Sequence, residues 1–209
     1  MRRLLLVRHG TTAWVDKHIL HGITDIPLND NGKRQAQEAA DALRSEKAQS
    51  LYTSPLLRCR QTAEIIAEKI GLEPMNMEGL KELDFGWLEG RPFRDHSSQN
   101  YGYLVKLYDH FAHRVIRALT GESIRNFHQR IMADWNRILE KNPKGTIIVV
   151  GHSAVFNNIL IHYFGKNFPK GHTYYAMAPG SINEITIDDQ GNADLVRLND
   201  TSHMGQNRS

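Results

Sequence analysis

The sequence predicts an α/β protein: a three-layer α/β/α sandwich on a mostly parallel sheet, with an antiparallel edge strand and a small helical cap insertion. Three observations support this prediction. Strands and helices alternate along the 209 residues. Two short runs, Arg3–Val7 and Thr146–Val150, are apolar or β-branched, which is typical of strands buried on both faces of a parallel sheet. The segments 182–187 and 193–198 flank Asp189–Asn192, a pattern typical of a hairpin.

Local patterns give the order of elements in the first half of the chain. Asn29–Gly32 contains turn and capping residues, and the apolar residues behind it recur at helical spacing, so we expect a helix over about 32–45. Ser50–Thr53 is expected to form a short second strand. The following helix has Pro55 in its first turn, where no N–H is needed, and is expected to end at Gly71.

The second half continues the alternation after an irregular stretch. Residues 91–121 mix basic and aromatic side chains without a regular period, and we interpret them as a cap inserted into a single domain of residues 1–199. Residues 122–141 then predict a long amphipathic helix, and 155–164 a shorter one. The polar tail, 200–209, is expected to fray.

Composition argues against several classes of protein. The chain has 26 Lys and Arg against 23 Asp and Glu, and the basic residues form no dense run, so we expect no nucleic-acid partner. The apolar run Leu4–Val7 is too short for a secretion signal, and no stretch reaches the roughly 20 apolar residues of a membrane span. The single cysteine, Cys59, cannot form an internal disulfide. We therefore predict a cytoplasmic protein without a membrane partner, either a monomer or a homodimer.

Two histidines directly follow the two predicted buried strands. Arg8–His9–Gly10 comes after the first strand, and Gly151–His152–Ser153 comes after the later one. Ligands of open α/β sheets bind beyond the carboxyl ends of the strands. Arg58 and Arg60 lie at the start of the helix behind the second strand, so these groups meet if the three strands are neighbours. Because a guanidinium group donates parallel hydrogen bonds and stays charged, such a cluster favours a phosphate ligand.

Four blocks of the sequence resemble one known family. LLLVRHGTTAW at 4–14 and SPLLRCRQTAE at 54–64 are similar to the first two blocks of the histidine phosphatase superfamily, also called phosphoglycerate mutase-like. LKELDFGWLEG at 80–90 is similar to its acid-residue block, and VVGHSA at 149–154 to its second-histidine block. The blocks follow the family's order and spacing over nearly the whole chain. The resemblance implies phosphoryl-transfer chemistry without a cofactor.

The resemblance also implies a role for each matched residue. His9 is the expected nucleophile, which forms a phosphohistidine. Arg8, Arg58 and His152 are expected to hold the phosphoryl oxygens. Glu82 is expected to protonate the leaving oxygen and later to help deprotonate water. Four further residues are expected to complete the substrate pocket: Thr11, His21, Gly22 and Ser153.

General chemistry agrees with these roles. A phosphoryl group in transfer spreads negative charge over its oxygens, and two arginines with an imidazole can stabilise that charge as a metal would. The same cations lower the pKa of His9, which must be neutral in order to attack. Glu82 must be protonated when substrate binds, and Phe85 and Trp87 are the expected source of its desolvation.

Three residues within the blocks have competing interpretations. Glu89 is a second candidate for the acid, in the same block as Glu82. Arg60 is expected to be structural rather than part of the site. Cys59 is expected to be buried and inert, because the motif offers no adjacent base to activate it.

Two pairs of histidines have a spacing that can bind a metal ion. His18 and His21 form one pair, and His110 and His113 form the other. No third ligand is evident near either pair, and eleven histidines make chance pairs common. We therefore expect no metal site.

The sequence also departs from the family pattern around the first histidine. Val15 stands where relatives often have Asn, and His21 stands where they often have Gln. Thr11 occupies the position where Gln or Glu is common, while Thr12 and Trp14 match. The loss of an amide at 15 affects substrate positioning rather than the chemistry, and His21 can still donate a hydrogen bond to an anion.

The superfamily contains both phosphatases and phosphoglycerate mutases. For a mutase, the resemblance implies a longer chain and a Y-G-x-L-Q-G-x-N-K segment after the acid block, whereas here Tyr101–Leu104 echoes only its first four positions. We therefore predict a phosphomonoesterase that hydrolyses a small phosphorylated metabolite. A cofactor-dependent mutase is the alternative, and a non-catalytic phosphate-binding module is disfavoured because all core residues are present. No G-x-G-x-x-G follows a strand, which argues against a nucleotide-binding oxidoreductase.

Substrate selectivity is expected to reside in the predicted cap. Its basic residues indicate a substrate with a second anionic group, such as a sugar phosphate or phosphoglycerate, but they are equally typical of helical surfaces. Its aromatic residues can stack on a ring or pack the cap onto the core. The basic residues are Arg91, Arg94, Lys106, Arg114 and Arg117, and the aromatic ones are Tyr101, Tyr103, Tyr108 and Phe111.

Overall fold

The computed structural model describes residues 1–92, 121–165 and 176–205, which form one mixed sheet with helices on both faces. The strands are β1 (Arg2–Arg8), β2 (Ser50–Thr53), β3 (Pro74–Asn76), β4 (Gly145–Gly151), β5 (Ile182–Ile187) and β6 (Ala193–Asp200). The helices are α1 (Ala13–Asp16), α2 (Asp30–Leu43), α3 (Leu57–Ile70), α4 (Ile124–Lys141) and α5 (Ser153–Phe164). Two 3-10 turns, Glu78–Leu80 and Gly86–Leu88, follow β3. The predicted cap lies outside the described residues apart from its ends.

The sheet has the strand order β3-β2-β4-β1-β5-β6. The pairs β3–β2, β2–β4 and β4–β1 are parallel, whereas β5 runs antiparallel to β1 and β6 antiparallel to β5. The mostly parallel sheet is therefore confirmed, but two strands rather than one form its antiparallel side. Because the β1–β4 register joins Arg8 to Gly151, both strands end at the same edge.

Alternating side chains of the central strands divide the core into two layers. Leu4 and Leu6 of β1 pack with the apolar faces of α4 and α5. Leu5 and Val7 point to the opposite face and pack with α2 and α3. This two-residue period on a sheet buried on both faces makes the run continuously apolar, and full burial of such a side chain contributes about 1.5–3 kcal/mol. The three-layer sandwich predicted from the sequence is confirmed.

The helix boundaries differ from expectation at two places. The Asn29 side chain accepts a hydrogen bond from Gly32 N–H at 2.8 Å, which caps α2 and starts it at Asp30, two residues before the expected boundary. Pro55 does not lie in the first turn of α3, so that prediction was wrong. Ser54 N–H still bonds β4 at 3.0 Å, and Leu56 is extended, so the chain needs two residues to leave the sheet before helix geometry begins.

The C-terminal part contains the expected hairpin between β5 and β6. The carboxylate of Asp188 accepts hydrogen bonds from Gln190 N–H and Asn192 N–H within its turn. Beyond β6, His203 Nε2–H donates to the carbonyl of Gly180 at 3.1 Å, and Gly205 N–H donates to Glu38 on α2. Residues 201–205 therefore dock on the fold instead of fraying as expected. No helix within the described ranges is both long and apolar enough to cross a membrane.

Candidate active site

The two motif histidines lie side by side beyond the carboxyl ends of β1 and β4. His9 N–H donates to Gly151 O at 3.0 Å, which continues the β1–β4 ladder to the residue before His152. The two imidazole rings meet edge to face with their centroids 5.2 Å apart. Both residues are buried, with exposed fractions of 4% for His9 and 0% for His152. Two imidazoles that are far apart in sequence thus share one enclosed space.

Hydrogen bonding assigns the proton of the His9 ring. Nδ1 lies 2.7 Å from the carbonyl oxygen of Gly10, and a carbonyl oxygen only accepts, so Nδ1 carries the hydrogen. Burial, followed by the charges of Arg58 and Arg8, lowers the pKa of His9 well below its usual value of 6.5. The ring is therefore neutral near pH 7, and its second nitrogen, Nε2, has a free lone pair.

The glycines beside the histidines serve packing inside the protein. A Cβ atom at Gly10 would overlap the backbone of Gly32 at the start of α2. A Cβ atom at Gly151 would lie 3.0 Å from the ring of Phe156, which is tighter than ordinary contact. These glycines therefore let α2 and α5 pack against the strand ends.

Arg58 extends from the first turn of α3 with a completely buried side chain. Its Nη1 donates to Thr24 O at 3.0 Å and its Nη2 to Gly22 O at 2.8 Å. A guanidinium group has five N–H donors, so three remain, and the buried Nε has no partner among the described residues. Burial lowers the pKa of Arg58, and the nearby Glu82 carboxyl acts in the opposite direction. Arg58 is thus held by a loop while keeping donors for a ligand.

Arg8 lies at the end of β1 and approaches the same space. Its Nη1 donates to the carbonyl of Met177, and its Nε is buried without a partner in the part of the chain that the structure describes. The charge of Arg8 acts on both histidines, and in each case it lowers the pKa of the imidazole. Two guanidinium groups with unused N–H donors therefore border the paired imidazoles. Such an arrangement suits a small anion with several oxygens.

Glu82 approaches this cluster from the segment between the two 3-10 turns. Part of the residue reaches solvent, but its carboxyl group is surrounded by protein, and this desolvation raises its pKa above the usual 4.5. Hydrogen bonds from Leu83 N–H at 3.0 Å and from Ala154 N–H act in the opposite direction, as do the charges of Arg58 and Arg8. Glu82 is thus a buried acid at the beginning of α5.

The two aromatic residues near Glu82, Phe85 and Trp87, have different surroundings. Phe85 packs against the hydrophobic core below α4 and α5. Trp87 is 49% exposed, and its ring stacks on the Arg91 guanidinium, whose carbon lies 4.2 Å from the ring centroid. The desolvation of Glu82 by Phe85 and Trp87 stays a prediction of the sequence.

Glu89, the second candidate for the acid, has its carboxylate committed to backbone and side-chain donors. It accepts hydrogen bonds from Ile23 N–H at 2.9 Å, Thr24 N–H at 2.8 Å and Phe85 N–H at 3.0 Å, and also from the Thr24 hydroxyl. Gly22 has a φ of 52° and no room for a side chain beside this carboxylate. Glu89 thereby fixes the 22–24 loop, whose carbonyl oxygens bind Arg58.

Thr11, His21 and Ser153, the other residues expected to contact the substrate, differ in their surroundings. Thr11 N–H donates to Gln35 Oε1 at 2.8 Å and its hydroxyl to Asp16 at 3.1 Å, so both of its donors are used within the protein. His21 Nε2 meets the Thr12 hydroxyl at 2.5 Å. Burial and the charges of Arg58 and Arg8 lower the pKa of His21 to about 3. A hydrogen bond to the backbone of Ile19 acts in the opposite direction, so the His21 ring already has two partners within the protein. Ser153 begins α5 directly after His152.

Two further questions are whether Cys59 is reactive and whether the histidine pairs bind a metal ion. Cys59 is buried with Sγ 3.4 Å from His152 Nε2, and burial raises the pKa of its thiol to about 12. In the described part of the chain, no group of three or more His, Cys, Asp or Glu side chains is arranged to hold a metal ion. The pair His110 and His113 lies outside that part.

Two contacts of the site were not anticipated from the sequence. Ser54 Oγ lies 2.9 Å from His152 Nε2 and so orients the second imidazole. The loop carbonyls of Gly22 and Thr24 that bind Arg58 were also missed. Ser54 lies inside the 54–64 block, next to the end of β2, so its position was a usable signal. Backbone carbonyls have no residue-type signal, and no pattern in one sequence reveals them.

Comparison with known proteins agrees with this architecture. The model of the family described as "Histidine phosphatase superfamily (branch 1)" matches residues 4–201. An uncharacterized phosphatase, PhoE of Bacillus subtilis strain 168, is 31% identical over 165 residues, which cover 79% of each chain. A probable phosphoglycerate mutase, GpmB of Cronobacter sakazakii, is 32% identical over 165 residues, covering 79% of this chain and 76% of that one.

A solved structure is similar along almost the whole length. YhfR of Bacillus stearothermophilus superposes with a TM-score of 0.79 at 25% identity, covering 97% of this chain and 99% of the other. The relatives include proteins named as phosphatases and proteins named as mutases, so they identify the family rather than the substrate. The family model spans well over half of the sequence, and the protein therefore belongs to branch 1 of the histidine phosphatase superfamily.

Proposed function

We propose that the protein is a phosphomonoesterase that hydrolyses a small phosphorylated metabolite through a phosphohistidine on His9. The proposal rests on one observation: a neutral imidazole with a free Nε2 lies beside two guanidinium groups whose buried Nε–H groups have no partner in the described chain. A nucleophile and a receptor for a multiply charged anion are thus adjacent. A phosphoryl group fits both, because its oxygens accept from the guanidinium groups while its phosphorus accepts the lone pair.

The first step transfers the phosphoryl group to the protein. Nε2 of His9 forms a bond to phosphorus as the ester P–O bond breaks, and Glu82 gives its proton to the leaving oxygen. Burial favours the protonated form of Glu82, which suits this role. Arg8, Arg58 and His152 stabilise the charge on the transferred oxygens. The products are an alcohol and a phosphohistidine, and Glu82 is left as a carboxylate.

The second step returns the site to its starting state. The Glu82 carboxylate takes a proton from a water molecule, whose oxygen attacks phosphorus while the N–P bond breaks. Inorganic phosphate leaves, His9 is again neutral and Glu82 is again protonated. The cationic surroundings that lower the pKa of His9 also make its nitrogen a better leaving group.

The remaining phosphate contacts are proposed from the unused donors. Arg58 supplies up to three N–H groups, and Arg8 supplies its Nε–H. Ser153 is at the N-terminus of the 12-residue helix α5, and helix N-termini favour anions. Gly22 lines the pocket through the carbonyl that holds Arg58, and His21 lies where the charges of Arg58 and Arg8 reach its ring. We leave Thr11 out of the substrate contacts, because Gln35 and Asp16 occupy its donors.

Hydrolysis is preferred over mutase activity on the basis of the sequence. A mutase must return the phosphoryl group to a bound acid, and the segment associated with that task is present only in its first four positions, Tyr101–Leu104. Relatives named as probable mutases keep isomerisation as the second candidate. A cytoplasmic location and a monomeric or dimeric state remain predictions of the sequence.

Phosphate release tests the proposal. The purified protein is incubated with a panel of phosphomonoesters in the presence of EDTA, and released phosphate is measured. We expect turnover that EDTA does not abolish, and a His9→Ala variant with a folded circular dichroism spectrum but no turnover. A phosphorylated intermediate that is stable in alkali and labile in acid should form on the wild type alone. Full hydrolysis by His9→Ala would refute the mechanism.

The alternative function has its own assay. Incubation with 3-phosphoglycerate and catalytic 2,3-bisphosphoglycerate is followed by NMR, which distinguishes the isomer from free phosphate. We expect phosphate release, if any reaction occurs, and no 2-phosphoglycerate. Isomerisation faster than hydrolysis would establish a mutase instead.

A further inference from the structure

The segment bearing Glu82 lies outside the sheet and is held by one arginine of α4. Arg130 donates from Nη1 to Gly79 O at 2.8 Å and to Lys81 O at 2.6 Å. Its Nη2 donates to the carbonyl oxygen of Glu82 itself at 2.8 Å. Three carbonyl oxygens within residues 79–82 are therefore attached to a single side chain, and the last of them belongs to the proposed acid.

The same guanidinium group is fixed by a carboxylate. Arg130 Nε donates to Glu122 Oε1 at 2.6 Å, and Nη2 donates to Glu122 Oε2 at 2.8 Å, a bidentate pair. The two side chains are 25% and 14% exposed, so water screens the pair only in part. With the three loop carbonyls, this accounts for all five N–H donors of Arg130. A lysine has three donors on a single nitrogen and cannot reproduce the set.

A second residue of α4 supports the loop one helical turn further on. Asp134 Oδ2 accepts from Gly79 N–H at 2.6 Å. Gly79 has no space for a side chain, because a Cβ atom there would overlap the carbonyl oxygen of Arg130 and the Asp134 carboxylate. Arg130 and Asp134 therefore hold opposite polar groups of the same loop, which fixes both its position and its direction.

We propose that Arg130, supported by Glu122, is the positioning residue for the catalytic acid Glu82. This inference rests on the proposed function, because it takes Glu82 as the proton donor to the leaving oxygen. Arg130 acts through the backbone: it sets where the Glu82 carboxyl stands relative to the ester oxygen. Proton transfer requires heavy atoms within about 2.6–3.2 Å, so a loosened loop slows protonation without weakening the phosphate contacts.

The use of its donors separates Arg130 from the phosphate-binding arginines. Arg58 keeps three N–H groups after its two loop contacts, whereas Arg130 keeps none. Loss of Arg130 should therefore change the dependence on leaving group rather than the affinity for phosphate. The charge of Arg130 also lowers the pKa of His152, so charge and geometry must be separated in the experiment.

The test compares two substrates of nearly equal shape. Phenyl phosphate and 4-nitrophenyl phosphate bind through the same group, but the nitro group stabilises the departing phenolate, which then needs less help from an acid. For each variant, kcat/KM is measured with both substrates on the same preparation, and the ratio is taken. The ratio is independent of the fraction of folded protein, so a destabilised variant remains informative.

Five variants are compared with wild type. Arg130→Lys keeps the charge and removes the five-donor fork, Arg130→Met removes both, and Glu122→Gln removes the anionic support. Arg125→Met is the matched control, since Arg125 is an exposed arginine of the same helix, whereas Arg137 pairs with Asp134, which itself holds the loop. Glu82→Gln gives the ratio expected when the acid is absent.

We expect Arg130→Met and Arg130→Lys to lower kcat/KM for phenyl phosphate roughly 10–100-fold, with a loss of about threefold or less for 4-nitrophenyl phosphate. Glu122→Gln should shift the ratio in the same direction by a smaller factor, and Arg125→Met should leave it unchanged. The inhibition constant for inorganic phosphate should stay within about twofold for the Arg130 variants.

Equal losses on both substrates in the Arg130 variants, alongside a shifted ratio in Glu82→Gln, would overturn the positioning role and leave the proposed function intact. A Glu82→Gln ratio equal to that of wild type would overturn the acid assignment and with it this inference. Absence of His9-dependent turnover with either substrate would overturn the proposed function itself.

Discussion

The two sides of the candidate site are built by different means. On the phosphate side, His9 and His152 directly follow adjacent parallel strands, and the backbone ladder itself sets their separation. On the acid side, Glu82 follows a short 3-10 turn, Glu78–Leu80, and side chains from elsewhere hold residues 79–82. Those side chains are Arg130 and Asp134 on α4. In the proposed mechanism, the sheet therefore sets where the anion binds, while a few polar side chains set where the proton comes from.

The two arginines Arg58 and Arg130 express the same difference in their hydrogen bonds. Each is buried or partly buried and each binds backbone carbonyls of a loop. Arg58 leaves donors unused beside the histidines, whereas Arg130 uses every donor on protein atoms. Residue type alone therefore does not identify a phosphate-binding arginine; the count of unused donors does. The predictions that follow test whether the two sides are separable.

The largest effect is expected on the acid side, from Glu82→Gln. Glutamine keeps the shape but carries no transferable proton, so kcat/KM for phenyl phosphate should fall roughly 10²–10⁴-fold and that for 4-nitrophenyl phosphate much less. Initial rates with both substrates give the result. A uniform loss on both would mean that Glu82 supports binding rather than proton transfer, and the comparison would fail on this side.

The pH dependence sharpens the same prediction. The first step needs Glu82 protonated, and because burial raises its pKa, the alkaline limb of kcat/KM should lie above the ordinary carboxyl range near 4.5. His9 must be neutral, and its lowered pKa moves the acidic limb below 6.5. In Glu82→Gln the alkaline limb should vanish while the acidic limb stays. Profiles of kcat/KM against pH, recorded for both proteins, decide this.

On the phosphate side, Arg58→Met should lower kcat/KM roughly 10²–10³-fold, because it removes donors aimed at the developing charge. The loss should be the same for both aryl phosphates, since the contact is to the phosphoryl group and not to the leaving oxygen. Inhibition by inorganic phosphate should weaken in parallel. A strong preference for one leaving group in this variant would show that the two sides are not separable.

Glu89→Gln tests the connection between the sides with a smaller expected effect. An amide has one oxygen and can accept only some of the four hydrogen bonds that the carboxylate receives. The 22–24 loop should loosen its hold on Arg58, which should raise KM about tenfold for both substrates. If Glu89 were the acid, the loss would instead depend on the leaving group.

The smallest effect is expected for Cys59→Ala. The thiol is fully buried and its pKa is raised to about 12, so it is neither a nucleophile nor a ligand near neutral pH. Activity should stay within about twofold of wild type, while the lost sulfur atom should cost about 1 kcal/mol of unfolding free energy. Urea denaturation followed by fluorescence gives the second value. Loss of activity without loss of stability would assign Cys59 to the site.

The sheet and the phosphate side were accessible from the sequence because both depend on short-range patterns. Leu4–Val7 and Thr146–Val150 report burial on both faces, and a histidine directly after each run must reach the same edge once the strands are neighbours. Pro55 was misplaced because the same residue types occur where a chain leaves a sheet edge and where a helix begins.

The support of the acid was not accessible for a physical reason. Arg130 reads in the sequence as an ordinary polar residue of an amphipathic helix, and its contacts to residues 79–82 are with carbonyl oxygens that every residue possesses. The docking of 201–205 on Gly180 and α2 depends on backbone contacts in the same way. Patterns of residue type predict burial and secondary structure, but they do not specify which distant backbone groups a side chain will meet.

The place of β1 between β4 and β5 has a consequence during synthesis. The first strand to leave the ribosome pairs only with strands formed by residues 145–151 and 182–187. More than two thirds of the chain must therefore be synthesised before His152, the neighbour of His9, is present. Pairing over such sequence distances is slow, because closing the intervening chain costs conformational entropy before the stabilising contacts form. Hydrolytic turnover in a translation reaction would therefore report completed tertiary structure, with no active fragment preceding it.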